Sequence, residues 1–271
     1  MNFKKLLLYT GVAVTLAACK AQNTTLVEKE VPPAASIDCF PGAYYRKAVT
    51  SFDNWSGITG VVVLGQPTVD EDRLDSRTKQ PLDNFSVYMG GNSADQELDA
   101  GLTWEFSTDA SGRKSARRNA WRPFWRAGYW KSAPDSAKYT WHPGDKIQMT
   151  IKMAGPKKLR MIIQDMNHPE KRFETNVDAS GFTYEAAKQF KRVNAIDQVR
   201  NEGKPVQPTK AHVTGAEWLY TTLYRGSKNE EWPMTRARFT DMRCSDATHI
   251  RVTATNSSKG AEKIDIFGTP Q

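Results

Sequence analysis

The fold class is decided by the stretch Glu97-Leu98-Asp99-Ala100-Gly101-Leu102-Thr103-Trp104-Glu105-Phe106. Every second side chain in it is apolar, and the side chains between them are polar or, at Gly101, absent. This alternation is typical of an antiparallel strand that turns one face to a core and the other to water. The stretch therefore predicts a half-buried strand.

Similar short apolar or alternating runs occur along the rest of the chain. They predict further strands at residues 58–64, 85–89, 147–153, 159–164, 216–224, 250–255 and 263–267. Turn sequences such as His142-Pro-Gly-Asp145 and Gly155-Pro156 separate some of them. A helix is expected only at residues 184–200, where the alternative is a loop. The pattern predicts an all-β protein, a two-sheet sandwich or jelly roll with one short helix or long loop insertion.

The N-terminus has the order of a secretory signal. Lys4 and Lys5 precede an apolar run over residues 6–18, which is too short to span a bilayer as a permanent helix. The run ends in Leu16-Ala-Ala-Cys19, which resembles the lipobox of bacterial lipoproteins. That resemblance implies cleavage before Cys19 and attachment of lipid to it, so Cys19 would hold the protein on a membrane. The alternative is an ordinary signal peptide.

The remaining chain divides into a polar segment and a domain. Residues 19–35 predict a lipidated N-terminus with a flexible tether, and residues 36–271 predict one β-sandwich domain. Lys20 after the lipidated cysteine implies an outer-membrane location if the organism has an outer membrane. Without residues 1–18 the formal net charge is +6 rather than +8, which favours anionic polymers or membrane surfaces as partners. A monomer is expected.

Cys39 and Cys244 are the other two cysteines. In an exported chain an even pair predicts a disulfide, although two buried thiols remain the alternative. No zinc-type spacing of cysteine and histidine occurs, and the acidic residues at 70–75 do not match the spacing of a calcium loop. Neither a metal nor a cofactor is expected.

Aromatic and basic residues alternate in Trp121-Arg-Pro-Phe-Trp-Arg-Ala-Gly-Tyr-Trp130. Flat aromatic faces stack on sugar rings and cations bind acidic groups, so this stretch is a candidate glycan site. Its proposed ligand-binding residues are Trp121, Arg122, Trp125, Arg126, Tyr129 and Trp130. Further basic residues follow one another over 113–118. The alternatives are a solvated basic loop, aromatic rings in the core, or single-stranded nucleic acid; the last is disfavoured because an envelope protein meets glycans far more often.

Three motifs resemble the glutamic peptidases, over about residues 55–224. They are Val87-Tyr-Met-Gly-Gly91 leading into Leu98-Asp-Ala-Gly-Leu-Thr-Trp104, then Tyr139-Thr-Trp141 with Pro143-Gly-Asp-Lys-Ile147, then Gly215-Ala-Glu-Trp-Leu219. The first two also resemble uncharacterised YrpD-type secreted bacterial proteins. The glutamic-peptidase resemblance implies a concanavalin-like jelly roll, with Glu217 as the residue that activates water.

The family's catalytic glutamine position is occupied here by Asp99. An ionised aspartate cannot donate the hydrogen bond that an amide donates. Asp99 and Glu217 could instead share a proton, as close carboxylates do, and support acid hydrolysis of a peptide or glycoside.

Three functions follow for a lipid-anchored envelope protein. The leading hypothesis is a non-catalytic module that binds an extracytoplasmic polymer, most simply a glycan. The second is an acid hydrolase that uses Asp99 and Glu217, and the third is a structural or interaction protein.

Overall fold

Two antiparallel sheets face each other in the computed structural model, which describes residues 29–94, 96–105 and 119–270. Their strands are β1 (Ala43–Val49), β2 (Trp55–Val63), β3 (Gln66–Thr68), β4 (Asp83–Ser93), β5 (Gln96–Glu105), β6 (Ala120–Ala127), β7 (Tyr129–Ser132), β8 (Lys146–Gly155), β9 (Lys158–Asp165), β10 (Arg172–Asp178), β11 (Lys188–Gln198), β12 (His212–Arg225), β13 (Glu230–Pro233), β14 (Thr240–Cys244), β15 (Ile250–Asn256) and β16 (Ala261–Phe267). The described residues contain no α-helix, only four short 3₁₀ helices.

The strand order defines a sandwich of two sheets. The seven-stranded sheet runs β14-β1-β11-β4-β5-β6-β7. The nine-stranded sheet runs β10-β9-β8-β2-β12-β16-β15, and β3 and β13 also pair with β12. This arrangement confirms the predicted all-β, two-sheet fold and matches a concanavalin-like jelly roll.

The alternating stretch at residues 97–105 forms β5 of the seven-stranded sheet. Leu98, Ala100 and Leu102 are buried in the core between the sheets, with exposed fractions of 1% or less. Asp99 lies on the other face, which points away from the nine-stranded sheet. The period-2 pattern therefore predicts both the strand and the direction of its faces.

The helix expected at residues 184–200 is wrong, because residues 188–198 form β11 near the middle of the seven-stranded sheet. Phe190 and Ile196 turn inward to the core, whereas Val193 turns outward. Polar residues on both faces of β11 obscure the alternation in the sequence. They are tolerated in a central strand because they have charged or hydrogen-bonding partners.

A buried ionic network joins the two sheets. Glu262 on β16 forms ion pairs with Arg46 on β1 and with Arg192 on β11, and both N–O distances are 2.9 Å. Arg46 also contacts Asp241 at 2.9 Å, and Arg192 donates to Thr221 at 2.6 Å. Burial lowers the pKa of Arg192 to about 10, against the opposing effect of Glu262. The network fixes which faces of β1 and β11 point inward.

An N-terminal strap (residues 31–42) lies against the outward face of the seven-stranded sheet. It is held by a hydrogen bond of 2.6 Å from Thr240 to the carbonyl of Ala34 and by a disulfide between Cys39 and Cys244. Under this edge lies an outward-facing apolar cluster, which consists of Ala43, Tyr45, Val49, Val193, Ala195, Met242 and Cys244. The folded unit begins at Val31, so residues 31–35 belong to it rather than to the tether.

Replacement of Glu262 by alanine would leave two arginines buried without their carboxylate. We expect Glu262→Ala to lower the free energy of unfolding by about 3–5 kcal/mol, the usual cost of breaking a buried ion pair. Urea denaturation measures this change, with Glu230→Ala on exposed β13 as the control. A loss as small as that of the control, about 0.5 kcal/mol or less, would contradict a structural role for the network.

Candidate functional site

A cleft of about 490 Å³ opens on the outward face of the seven-stranded sheet. Side chains from β1, β4, β5, β6, β7 and β11 line it, together with Phe40 and Gly42 of the N-terminal strap. The lining residues alternate along each strand with residues of the core, so the register of the sheet decides which side chains enter the cleft. The cleft is the candidate functional site.

Gly90 has no side chain, and this allows Lys191 and Asp99 to contact each other across the sheet. Gly90 on β4 pairs with Lys191 on β11 on one side and with Asp99 on β5 on the other. A Cβ atom on Gly90 would lie 2.0 Å from the carbonyl oxygen of Leu98, so no larger residue fits there without a shift of the backbone. Lys191 reaches Asp99 over this glycine, with a distance of 2.7 Å between Nζ and Oδ1.

Lys191 belongs to a cluster of two cations and two carboxylates. It also pairs with Glu97, and Arg126 on β6 lies 3.3 Å from Asp99 and 3.5 Å from Glu97. Burial lowers the pKa of Lys191, but the adjacent Asp99 and Glu97 outweigh burial and raise it overall. Glu97 has a lowered pKa because the nearby cations outweigh the effect of its own burial. The cluster is thus neutral when all four groups are charged.

An aromatic wall stands beside this cluster and consists of Tyr88, Phe124 and Trp130. The rings of Phe124 and Trp130 stack with centroids 4.3 Å apart and an interplanar angle of 5°. Tyr88 meets Phe124 edge to face at 5.8 Å. Burial raises the pKa of Tyr88 well above its usual value, and Asp99 adds to this effect. Trp130 is 52% exposed, so part of its ring surface is free for contact.

Asp197 on β11 also lines the cleft. Ser86 donates a hydrogen bond of 2.8 Å to its carboxylate. Burial raises the pKa of Asp197 to about 6, and the negative charges of Asp99 and Glu202 act in the same direction. A carboxyl group of this kind exchanges protons in mildly acidic solution.

The structure contradicts three of the ligand-binding residues predicted from the sequence. Trp121 is 2% exposed and lies in the core, where its indole donates to the carbonyl of Gly65. Trp125 also points to the core side and packs against Phe173. Odd-numbered residues of β6 point inward, so neither tryptophan forms part of the cleft surface.

The third predicted ligand-binding residue that the structure contradicts is Arg122, which is 4% exposed. Its guanidinium pairs with Glu105 at 2.7 Å and Asp135 at 3.2 Å, and it donates to the carbonyls of residues 133 and 134. These bonds fasten β6 to the loop that follows β7. Arg122 therefore has a structural role and does not face a ligand.

The other three predicted residues are accessible. Arg126 and Trp130 line the cleft. Tyr129 is 85% exposed but is not among the lining residues; it follows Gly128, whose φ of +88° forms the tight turn between β6 and β7. Arg126 and Trp130 thus lie at one edge of the cleft, at the β6–β7 hairpin, and their role in binding stays a prediction.

Asp99 and Glu217 are not brought together. Asp99 lines the cleft on the seven-stranded sheet, whereas Glu217 lies on β12 of the nine-stranded sheet. The next residue, Trp218, points into the core and donates to Asn194 at 2.7 Å. Glu217 therefore points away from the seven-stranded sheet, and the carboxylate pair implied by the family resemblance does not form.

Some predictions fall outside the described residues. Cys19 and the basic residues at 113–118 are among them. Within the described ranges, no helix is long and apolar enough to cross a membrane, and no group of three acidic, histidine or cysteine residues has an arrangement suited to a metal ion.

The comparisons with known proteins identify the fold. Two crystal structures of scytalido-glutamic peptidase with transition-state analogues are similar to this chain, with TM-scores of 0.52 and 0.51. The similarity covers 83% of this chain and 98% of the peptidase chain, at 9% and 8% sequence identity. No protein-family model matches the sequence, and no curated protein matches it significantly. At this level of identity the likeness shows a shared fold and nothing of the activity.

The cleft residues that were not predicted from the sequence include Lys47, Tyr88, Lys191 and Asp197. Tyr88 lies within the first family-like motif, which could have marked it as part of a site. Lys191 and Asp197 lie in the segment expected to be helical. The helix prediction does not place them on the same face of a strand. Lys47 precedes any recognisable motif, so only the register of β1 shows that its side chain faces the cleft.

The raised pKa of Asp197 predicts a pH-dependent stability. Its folded-state pKa of about 6 exceeds the ordinary value of 3.8, so its contribution to stability is present below pH 4 and is lost as the pH rises through about 6. Relative to Asp197→Asn, the wild type should lose up to about 2–3 kcal/mol between pH 4 and pH 7. Denaturation at both pH values measures the difference, with exposed Asp178→Asn as the control. A constant difference for Asp197→Asn would refute the assignment.

Proposed function

We propose that this protein binds an extended glycan in the cleft of its seven-stranded sheet, without cleaving it, at the cell envelope to which Cys19 anchors it. The observation that carries the proposal is the stacked pair of Phe124 and Trp130 at the mouth of the cleft. Phe124 is buried and holds the orientation of Trp130, whose ring is about half exposed. A pre-oriented indole loses little conformational entropy when a ligand ring stacks on it.

The surroundings of this pair suit a sugar chain. Asp99, Glu97 and Arg126 offer charged hydrogen-bond acceptors and donors next to the aromatic wall. An apolar platform with a few fixed polar groups is the usual composition of a small-molecule or sugar site. The cleft extends over six strands of an open sheet, which favours a segment of polymer over a single small ring.

The absence of catalysis in this proposal rests on the position of the carboxylates. Glu217 lies on the other sheet and faces away from the cleft. Asp99 forms ion pairs with both Lys191 and Arg126 and is held in their cluster. Neither residue is arranged to activate water in the manner that the family resemblance implies.

An acid hydrolase acting in the same cleft is the second candidate. The fold likeness to glutamic peptidases favours it, and Asp197, with a pKa of about 6, offers a group that could transfer a proton near that pH. In this version Asp197 replaces Glu217 as the acid or base. Cleavage of denatured protein or of oligosaccharides at pH 4–6, lost in Asp197→Asn, would support this candidate over the binding module.

The binding proposal predicts a large effect at Trp130. Removal of the stacking surface by Trp130→Ala should weaken binding of the full-length chain to envelope oligosaccharides about tenfold or more, as for a central aromatic contact. Isothermal titration against a panel of neutral and acidic oligosaccharides measures the change.

Tyr129→Ala is the matched control, since Tyr129 is an adjacent and more exposed aromatic residue that does not line the cleft. It should leave the affinity within about twofold, a difference of about 0.4 kcal/mol. Absence of binding to every member of the panel would overturn the proposed function, as would equal losses in the two variants.

A further inference from the structure

Lys47 differs from the other two cations of the cleft because it has no ion-pair partner among residues 29–94, 96–105 and 119–270. Lys191 and Arg126 both pair with Asp99 and Glu97. Lys47 lies on the outward face of β1 and also lines the cleft. No described residue forms a salt bridge or hydrogen bond with its ammonium group. Among the three cations that line the cleft, Lys47 is thus the one whose charge no described residue neutralises by direct contact.

The environment of Lys47 makes this charge costly. Burial lowers the pKa of Lys47, and the positive charge of Lys191 lowers it further, although Glu97 and Asp99 oppose both effects from a distance. In the sheet, Lys47 lies between Met242 on β14 and Val193 on β11, two buried apolar residues. A partly desolvated cation with apolar neighbours gains more from an arriving anion than a cation in open water does.

We infer that Lys47 binds a carboxylate group of the ligand, and that the glycan in the cleft is therefore an acidic one that contains uronic acid residues. This inference rests on the proposed function and names its substrate class. A carboxylate at Lys47 would form a charge-assisted hydrogen bond, which is about twice as strong as a bond between neutral groups.

The acidic residues at one end of the cleft also favour a ligand carboxylate placed at Lys47. Asp197 and Glu202 line the cleft as well. In the register of β1 and β11, Lys47 pairs with Val193 and Ala43 pairs with Asp197, so the two charged positions are four residues apart along the strands, roughly 13 Å. An acidic sugar would be repelled near Asp197 and attracted near Lys47, so the site selects the position of the charge as well as its sign.

The distance between Lys47 and Trp130 sets the length of a ligand that contacts both residues. Lys47 is on β1 and Trp130 is on β7, which are separated by five strand spacings across the sheet. At about 4.8 Å per spacing, the two strands lie about 24 Å apart across the sheet. A ligand that contacts both residues must therefore be an oligosaccharide of several sugar units.

Oligogalacturonate and its fully methyl-esterified form test the inference, because they share a sugar backbone and differ in the charge of the carboxyl groups. With the full-length chain, titration calorimetry should show at least tenfold tighter binding of the acid form. Lys47→Met should abolish this preference and leave binding of the ester unchanged. Lys158→Met, which removes an exposed lysine from β9, should preserve it.

The outcomes separate the inference from the proposed function. Equal affinity of the wild type for acid and ester, or a preference that survives Lys47→Met, would overturn the role of Lys47 while Trp130-dependent binding leaves the proposed function in place. Binding of poly-L-glutamate without binding of oligogalacturonate would overturn the assignment to a glycan. Loss of ester binding in Lys47→Met would show a structural effect and would also count against the inference.

Discussion

The ion pairs of Glu262 with Arg46 and Arg192 are the constraint from which the arrangement of the cleft follows. They link β16 of one sheet to β1 and β11 of the other, in an interior where none of the three charges could stand alone. Because side chains alternate along a strand, an inward Arg46 requires an outward Lys47, and an inward Arg192 requires an outward Lys191. The two lysines of the cleft are therefore direct neighbours of the two buried arginines, and a single network in the core determines the polarity of the outer face.

The fold of a glutamic peptidase is present here with a different set of groups on the outward face of the seven-stranded sheet. Where a catalytic carboxylate and amide would be expected from the resemblance, Asp99 is bound to Lys191 and Arg126, and Glu217 points outward from the opposite sheet. A sandwich of this type offers an open cleft whatever side chains line it, so a shared fold is compatible with a changed function. In the function proposed above, the aromatic wall and the charged cluster are the surfaces that an extended ligand would contact.

The fold of this chain is easier to predict from its sequence than the site, and particular residues explain the difference. The strand at 97–105 has an apolar face and a polar face, so the local pattern suffices to predict it. The central strand β11 has Arg192 and Asn194 inward and Lys191 and Asp197 outward, and only their distant partners make those positions acceptable for a strand. The same holds for β6, where side chains alternate between the two faces. Trp121 therefore lies in the core, whereas Phe124 and Arg126 lie in the cleft. The pairing of β6 with β5 sets which residues of β6 face the core, and no local pattern in the sequence describes that pairing.

The disulfide between Cys39 and Cys244 also determines how the domain responds to a mechanical load. A pull on the chain upstream of residue 39 passes through the sulfur atoms to the end of β14 before it stretches the short segment that leads into β1. β14 is the outermost strand of its sheet and pairs with β1 over five residues, so tension would be resisted by covalent bonds and by a ladder of backbone hydrogen bonds. In a domain pulled by its N-terminus, the force would in this way enter at the edge of the sheet opposite Trp130 and leave the aromatic end of the cleft outside the path of the load.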